Sequence, residues 1–228
     1  MTTSLSAINS HPHIWRARQH NTNETKFSLG FPSLDKALNG GVASTGLIRV
    51  SSLLGVGELT LFKHVLCSQR THKMVVFVSP PGYLQSPWLT NLGLDLQQIL
   101  VVNTHSEQES LWAAEQCLKS TACHCVVLWS SQISATQARR LQVAATHNDA
   151  LCLLFTTERY ASKEALPVAL DIALQAQHDT LRVQVRKQRH GWPVDNITVQ
   201  HHWTPDNRPI KWAMAHNKLQ DHILHSVS

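Results

Sequence analysis

SSLLGVGELTLF, residues 51–62, joins an apolar run, GLIRVSSL (46–53), to LTLFKHVLCSQ (59–69), which has helical periodicity. A strand, a glycine-bearing turn and a helix are the setting of a phosphate-binding loop. The pattern G-x-x-x-x-G-K-[ST] falls on residues 52–59 and fits badly. Its first glycine is Ser52, its second Gly57, its lysine Glu58 and its hydroxyl Leu59, with Thr60 one place late. Two unit charges about 4 Å apart interact by about 4 kcal/mol at an effective dielectric near 20. Lysine replaced by glutamate is therefore a swing of roughly 8 kcal/mol against a phosphate, before water and counter-ions reduce it. Leu59 offers no oxygen to Mg²⁺, which needs hard oxygen ligands.

Strand and helix alternate on both sides of this turn. FPSLDKAL (31–38) reads as a helix, with Pro32 fixing its start, Ser33 as cap and Asn39-Gly40-Gly41 as its end. KMVVFVS (73–79), ILVVN (99–103), HCVVLWS (124–130) and ALCLLFT (150–156) are short continuous apolar runs, as in strands buried on both faces. Between them lie helical stretches at 86–94, stopped by Gly93; at 106–120, with Ser106 as cap and Glu109 three residues on; and at 134–148. After residue 167 the period changes to two. VALDIALQAQ (168–177), TLRVQVRKQR (180–189) and NITVQHHW (196–203) read as antiparallel strands. The expected fold is α/β, with a mainly parallel central sheet flanked by helices and antiparallel strands at its C-terminal edge. A polar arm (1–26) precedes this domain (27–203), and a polar tail (204–228) with a short helical stretch at 211–224 follows it.

This order of elements and its local residues resemble the RecA-type ATPase core from about residue 28 to 200. FPSLDKALNGG matches the segment before the first core strand, and CVVLWSS the second Walker motif. The resemblance implies that Pro81 stands at the catalytic glutamate position and Trp129 at the second Walker aspartate. Glu158 falls near the sensor glutamine. Pro81 cannot orient an attacking water and Trp129 cannot hold a metal. The two loops that line the RecA filament axis shrink to SSQIS (130–134) and ERYASKEALP (158–167), with Arg159 and Lys163 remaining on the second. No cofactor and no ATPase activity are expected.

Two families share such a degenerate core. The middle of the chain, VVFVSPPGYLQSPWLTNLGLDLQQILVVNTHSEQESLWAAEQCLKS, resembles both ImuA-type translesion-synthesis proteins and SulA-type cell-division inhibitors. The lead-in LGFPSLDKALNGG and the strands through LRVQVRKQRHGWPVDNITV are features that SulA-type chains usually lack, and HPHIWRARQ (11–19) looks like the ImuA N-terminal segment. The ImuA resemblance implies a non-catalytic accessory of SOS-induced translesion DNA synthesis. Its partner would be an ImuB-like inactive Y-family polymerase homologue, with RecA and an error-prone C-family polymerase as further candidates. DNA contact is permitted but not required. The alternative is a SulA-like inhibitor that binds FtsZ.

Candidate contact residues are Trp15, Arg16 and Arg18 on the arm, and Arg186, Lys187 and Arg189 near the end of a late strand. Trp and Arg dominate interface hot spots. A Trp folded into the domain's own groove and a solvated strand end are the plain alternatives. By strict alternation Arg182 and Arg186 share one face, and Lys187 and Arg189 share the other with Val183 and Val185. Arg139 and Arg140 read as solvent-facing. Tyr83 and Trp88 are placed near the former nucleotide cleft, and Trp129 is expected to fill it. Trp192, Trp203 and Trp212 read as capping the core or as a contact surface.

The 228 residues suffice for one domain with a large core, and a net charge of +5 with a pI near 9.1 permits an acidic or nucleic-acid partner without requiring one. Five cysteines, an odd number and mostly within apolar runs, suit a reducing, cytoplasmic setting. No stretch has the apolar length of a membrane span, and the N-terminus has no signal-type apolar core. Cys123-His124-Cys125 and His201-His202 lack zinc-ligand spacing. They read as core thiols beside a surface histidine.

Overall fold

The computed structural model describes residues 25–68, 73–157, 166–177, 180–189 and 191–200. A two-stranded ribbon, β1 (Lys26–Phe27) with β2 (Val42–Ala43), leads into the main sheet. That sheet contains β3 (Gly46–Ser52), β4 (Met74–Val78), β5 (Ile99–Val102), β6 (Cys123–Trp129), β7 (Leu151–Thr157), β8 (Leu170–Gln177), β9 (Thr180–Gln188) and β10 (Val194–Gln200). Its order is β10-β9-β8-β3-β7-β6-β4-β5. The run from β8 to β5 is parallel, and β9 and β10 continue antiparallel from β8. The mainly parallel sheet with an antiparallel C-terminal edge is therefore the architecture formed.

The apolar runs are buried on both faces because helices cover both. On one face α1 (Pro32–Ala37), α2 (Glu58–Leu61), α3 (Lys63–Leu66) and α4 (Ser86–Leu92) bring Leu34, Leu61, Phe62, Val65 and Leu89 against Val50, Phe77, Val127 and Phe155. On the other, α5 (Glu107–Lys119) and α6 (Ala135–His147) bring Leu118, Ala138 and Leu141 against Leu47, Val76, Leu128 and Leu154. Each large aliphatic side chain so buried contributes about 1.5–3 kcal/mol. Strand β3 is buried along its whole length, polar residues included. Arg49 and Ser51 find partners across the sheet. Arg49 donates from Nε to Asp171 Oδ1 on β8 at 3.0 Å and pairs a second time through its terminal nitrogen. Ser51 Oγ lies 3.2 Å from Thr156 Oγ1 on β7.

Local geometry departs from the sequence reading at four places. Ser33 lies inside α1, not at its cap. The Asp35 carboxylate instead accepts from the backbone N–H groups of Leu29 and Gly30, because Pro32 and the turn before it aim those donors back at the first helical turn. The expected helix over 59–69 breaks at Phe62 into α2 and α3. A bulge in β6 pairs Met74 with Cys123 but Val75 with Cys125. It flips the strand's parity, so Cys123 packs in one core and Cys125 in the other. His124 is consequently buried and not a surface histidine, with Nδ1 3.3 Å from Lys73 O and Nε2 3.3 Å from Leu66 O. A second bulge, in β9, pairs Asp171 with Lys187 but Ile172 with Val185. Lys187 therefore lies on the opposite face from Val183 and Val185, and its Nζ donates to Leu166 O at 2.7 Å.

The connections set where a crevice can open. The chain passes from β4 to β5 through α4 on the first face and from β5 to β6 through α5 on the second. The helix that leaves β6, α6, also lies on the second face, so adjacent β4 and β6 send their helices to opposite sides and a crevice forms at their carboxyl ends.

Candidate functional site

At the carboxyl end of β3 the chain turns through Leu53–Gly57. Gly55 and Gly57 adopt φ of 79° and 99°, the left-handed region that only glycine enters cheaply. Nothing lies within 4 Å of a Cβ built on Gly55, so its constraint is conformational and not steric. These conformations turn successive N–H groups inward, the arrangement that cradles a phosphate in nucleotide-binding loops. Here the cradle is occupied by the chain itself. Glu58 Oε1 accepts from Gly55 N at 3.1 Å, and Oε2 accepts from Gly57 N at 3.1 Å. The Glu58 side chain is buried. Leu59 and Val56 pack on the first core, while Leu53 and Leu54 stand exposed at the tip. Ser52 is buried as the last residue of β3.

Beside this closed loop, at the ends of β4 and β6, lies a cleft of about 300 Å³. Trp129 forms its inner wall, with ring centroids 6.3 Å from Phe77 and 5.3 Å from Phe155. The indole Nε1 is buried and meets no acceptor among the described residues. Pro81 lines the same cleft at its exposed rim. Tyr83 is almost fully exposed and Trp88 packs on the first core; neither lines the cleft.

The cleft's polar wall is made of residues that the sequence did not single out. Ser79 Oγ lies 2.6 Å from Thr104 Oγ1 and 2.8 Å from Ser110 Oγ, and the latter two are 2.6 Å apart. Ser79 is held at φ 49°, a costly conformation for a residue with a Cβ. Glu107, in the first turn of α5, accepts at Oε1 from the backbone N–H of Ser131 at 2.7 Å and from the Ser131 hydroxyl. Burial by itself pushes the Glu107 carboxyl up. The hydrogen bonds from Ser131 and Gln132 outweigh it and hold the group below its usual range. Scattered hydroxyls on three elements leave no spacing pattern. The only sequence signal was the capping position of Ser106, which fixes where α5 begins (Glu109 N donates to Ser106 Oγ at 3.2 Å).

Of the basic residues on β9 and just after it, Lys187 and Arg189 are exposed and Arg182 and Arg186 half-buried. Arg182 bonds Asn196 Oδ1 across to β10, Lys187 is tied to Leu166 O, and the backbone N–H of Arg189 donates to Ala169 O at 3.0 Å. Arg186 also has a partner. Arg140 is exposed but reaches Glu115 Oε2 on α5 at 2.6 Å, where Lys119 Nζ meets Oε1 at 2.6 Å. Burial pushes Glu115 up, and these two cations more than reverse it. Trp192 is exposed. Trp15, Arg16, Arg18, Glu158, Arg159, Lys163, His201, His202, Trp203, Trp212 and the stretch 211–224 lie outside the described residues. Among the described residues no cluster of three or more His, Cys, Asp or Glu could hold a metal, and no helix is long and apolar enough to cross a membrane.

No family model matches the chain. It is 30% identical to protein RecA of Ruminococcus albus over 111 residues, 48% of this chain and 28% of that protein. It is 28% identical to RecA of Prochlorococcus marinus over 102 residues, 44% of this chain and 28% of that protein. It is 34% identical to the cell division inhibitor SulA of Photorhabdus laumondii over 79 residues, 35% of this chain and 45% of that protein. The chain thus spans less than half the length of each. Among solved structures, SulA from Pseudomonas aeruginosa aligns with a TM-score of 0.42 at 25% identity, covering 48% of this chain and 97% of that one. The chain is related, weakly, to RecA and SulA.

Proposed function

We propose that this chain is a non-catalytic domain of RecA descent that acts in the DNA-damage response through protein contacts. The observation that carries this reading is the Glu58 carboxylate in the phosphate cradle. A nucleotide phosphate would have to displace an anion that is covalently present, in a site where its own charge is repelled. Leu59 and Trp129 supply no magnesium ligand at the places where one would be needed. What the fold retains is surface: an exposed Leu53-Leu54 tip and the carboxyl-end cleft beside it.

Two partners suit such a domain. In the first reading it is an accessory of damage-induced translesion synthesis, joining an ImuB-like inactive polymerase homologue, with RecA and a C-family polymerase as further members. The lead-in around α1 and the complete β8–β10 edge support it, because they extend beyond the core that SulA-type chains keep. In the second it is an inhibitor of cell division that captures FtsZ, supported by the 34% identity to SulA of Photorhabdus laumondii. Co-purification of the full chain with an ImuB-like protein and with FtsZ separates the two. Capture of FtsZ alone would overturn the first. ATP turnover that is lost in Glu58→Ala would overturn the non-catalytic reading altogether.

A further inference from the structure

We propose that the groove between α5 and α6 is a docking site for an acidic segment of a partner protein, anchored by one large apolar side chain. This role rests on the reading that the chain acts through protein contacts, whichever partner it has. The two helices follow parallel strands, β5 and β6, and run side by side in the same direction over the second core. Their inward rows, with Leu111, Leu118, Ala138 and Leu141, are taken up by that core. On the outward rows Trp112 of α5 is 62% exposed and Val143 of α6 is 56% exposed. One such side chain would need no explanation, but these two line adjoining hollows.

A single ion pair divides the hollows, where Arg140 reaches from α6 to Glu115 Oε2 at 2.6 Å. Toward the helix N-termini lies a hollow of about 790 Å³, whose apolar part is Leu111, Trp112, Ile133 and Leu141. Toward the C-termini lies one of about 460 Å³, where Lys119, Arg139, Arg140 and His147 stand around Val143. Three of these residues carry a permanent positive charge, against the one carboxylate of Glu115. Arg139 makes no ion pair among the described residues. Trp112 and Lys119 lie two turns apart on one face of α5, about 10 Å along its axis. A segment laid along the groove thus meets an apolar hollow and then a cationic one. The matching side chains are Leu, Phe or Trp first and Asp or Glu two helical turns later, the pattern of a helix seated in a groove.

Charge decides among the occupants. A second copy of the chain brings a net charge of +5. The chain's own ends suit the cationic hollow no better. Residues 1–24 hold Arg16 and Arg18 against Glu24, and residues 201–228 hold Arg208, Lys211 and Lys218 against Asp206 and Asp221. Nucleic acid supplies negative charge, but phosphates laid across both hollows would meet Glu107 and Glu115 at the first. An acidic protein segment avoids that clash, because its apolar anchor lies there instead.

Panning a displayed library of random dodecapeptides over the full chain tests this. The enriched sequences should combine an aromatic or large aliphatic residue with Asp or Glu. A fluorescein-labelled synthetic copy of the leading sequence should lose about tenfold in affinity, read by anisotropy, with Trp112→Ala and likewise with Arg139→Glu. Its binding should weaken as ionic strength rises. Both side chains are exposed, so the variants should melt with the wild type. No enrichment, enrichment of basic or uncharged sequences or of ones resembling residues 1–24 or 201–228, or a peptide whose affinity survives both substitutions would overturn the assignment. So would a dimer of the full chain that dissociates with Trp112→Ala, or a single-stranded oligodeoxynucleotide that displaces the peptide and loses affinity in the same variants. An ImuB-like protein or FtsZ that co-purifies equally with the doubly substituted chain would overturn the groove as the docking site and leave the protein-contact reading standing. ATP turnover lost in Glu58→Ala would overturn that reading and leave the peptide result standing.

Discussion

At the carboxyl end of β3 the chain's own carboxylate sits in the phosphate cradle, whereas a few residues away, at the ends of β4 and β6, an aromatic ring backs an open cleft lined with hydroxyls. The first closure is electrostatic and local: one side chain bonds backbone groups one and three residues before it. The second is apolar and long-range, since Trp129 packs against Phe77 and Phe155 from two other strands. The contrast teaches that the two strand ends need different repairs. The inward N–H groups of the loop are given an acceptor by the loop itself, and the space beside them is given an apolar wall.

The largest effect should come from the apolar repair. Trp129→Ala empties the wall of the cleft and should lower stability by about 3 kcal/mol, read as a fall in the urea midpoint. Trp129→Phe keeps most of the ring contact and removes the buried indole N–H that meets no acceptor. An orphaned buried donor costs about 1–3 kcal/mol, which offsets much of the lost area. Phe should therefore stay within about 1 kcal/mol of wild type. A Phe variant as damaged as Ala would show that the indole nitrogen is satisfied in solution and that the wall is not a purely apolar plug.

The electrostatic repair is the next in size. Glu58→Ala leaves the Gly55 and Gly57 N–H groups without their acceptor and should cost about 1–3 kcal/mol. Glu58→Gln retains one acceptor oxygen and should cost less. Inorganic phosphate should then raise the melting temperature of Glu58→Ala while leaving wild type unmoved. If phosphate stabilises both alike, Glu58 does not hold the cradle.

The two repairs were unequally legible in the sequence. The loop could be read because its residues are contiguous, and a glutamate at the lysine position has one obvious meaning. That the glutamate turns back into the loop was not legible, since the same charge pointing outward would look identical in sequence. The parallel sheet was legible from apolar runs such as KMVVFVS, buried on both faces. The misreadings of His124 and Lys187 share one cause. A period-two argument assumes unbroken alternation, and single-residue bulges in β6 and β9 reverse it. The Ser79–Thr104–Ser110 cluster was invisible because register and crossover, not spacing, bring its members together.

The smallest effect sharpens how the rim of the cleft is held in place. Glu107 on α5 clasps the loop after β6 through Ser131, and its carboxyl is held below the usual range. A carboxyl depressed in the folded state stabilises fully above its unfolded value, about 4.3, and loses that contribution as pH falls through the lower folded value. The urea midpoint of Glu107→Gln should thus lie below wild type at pH 7, and the two should converge as pH falls past the depressed folded-state value. Glu115, clasped by Lys119 and Arg140 outside the cleft, is depressed by the hydrogen bond from Lys119 and then by the charge of both cations, and its pairs are exposed on the cation side. Salt screens such pairs, while a neutral donor such as Ser131 is indifferent to it. Raising ionic strength should therefore shrink the deficit of Glu115→Gln and leave that of Glu107→Gln unchanged. A deficit at Glu107 that shrinks equally would mean that the loop after β6 is held by the general field of the basic chain and not by its hydrogen bonds to Glu107.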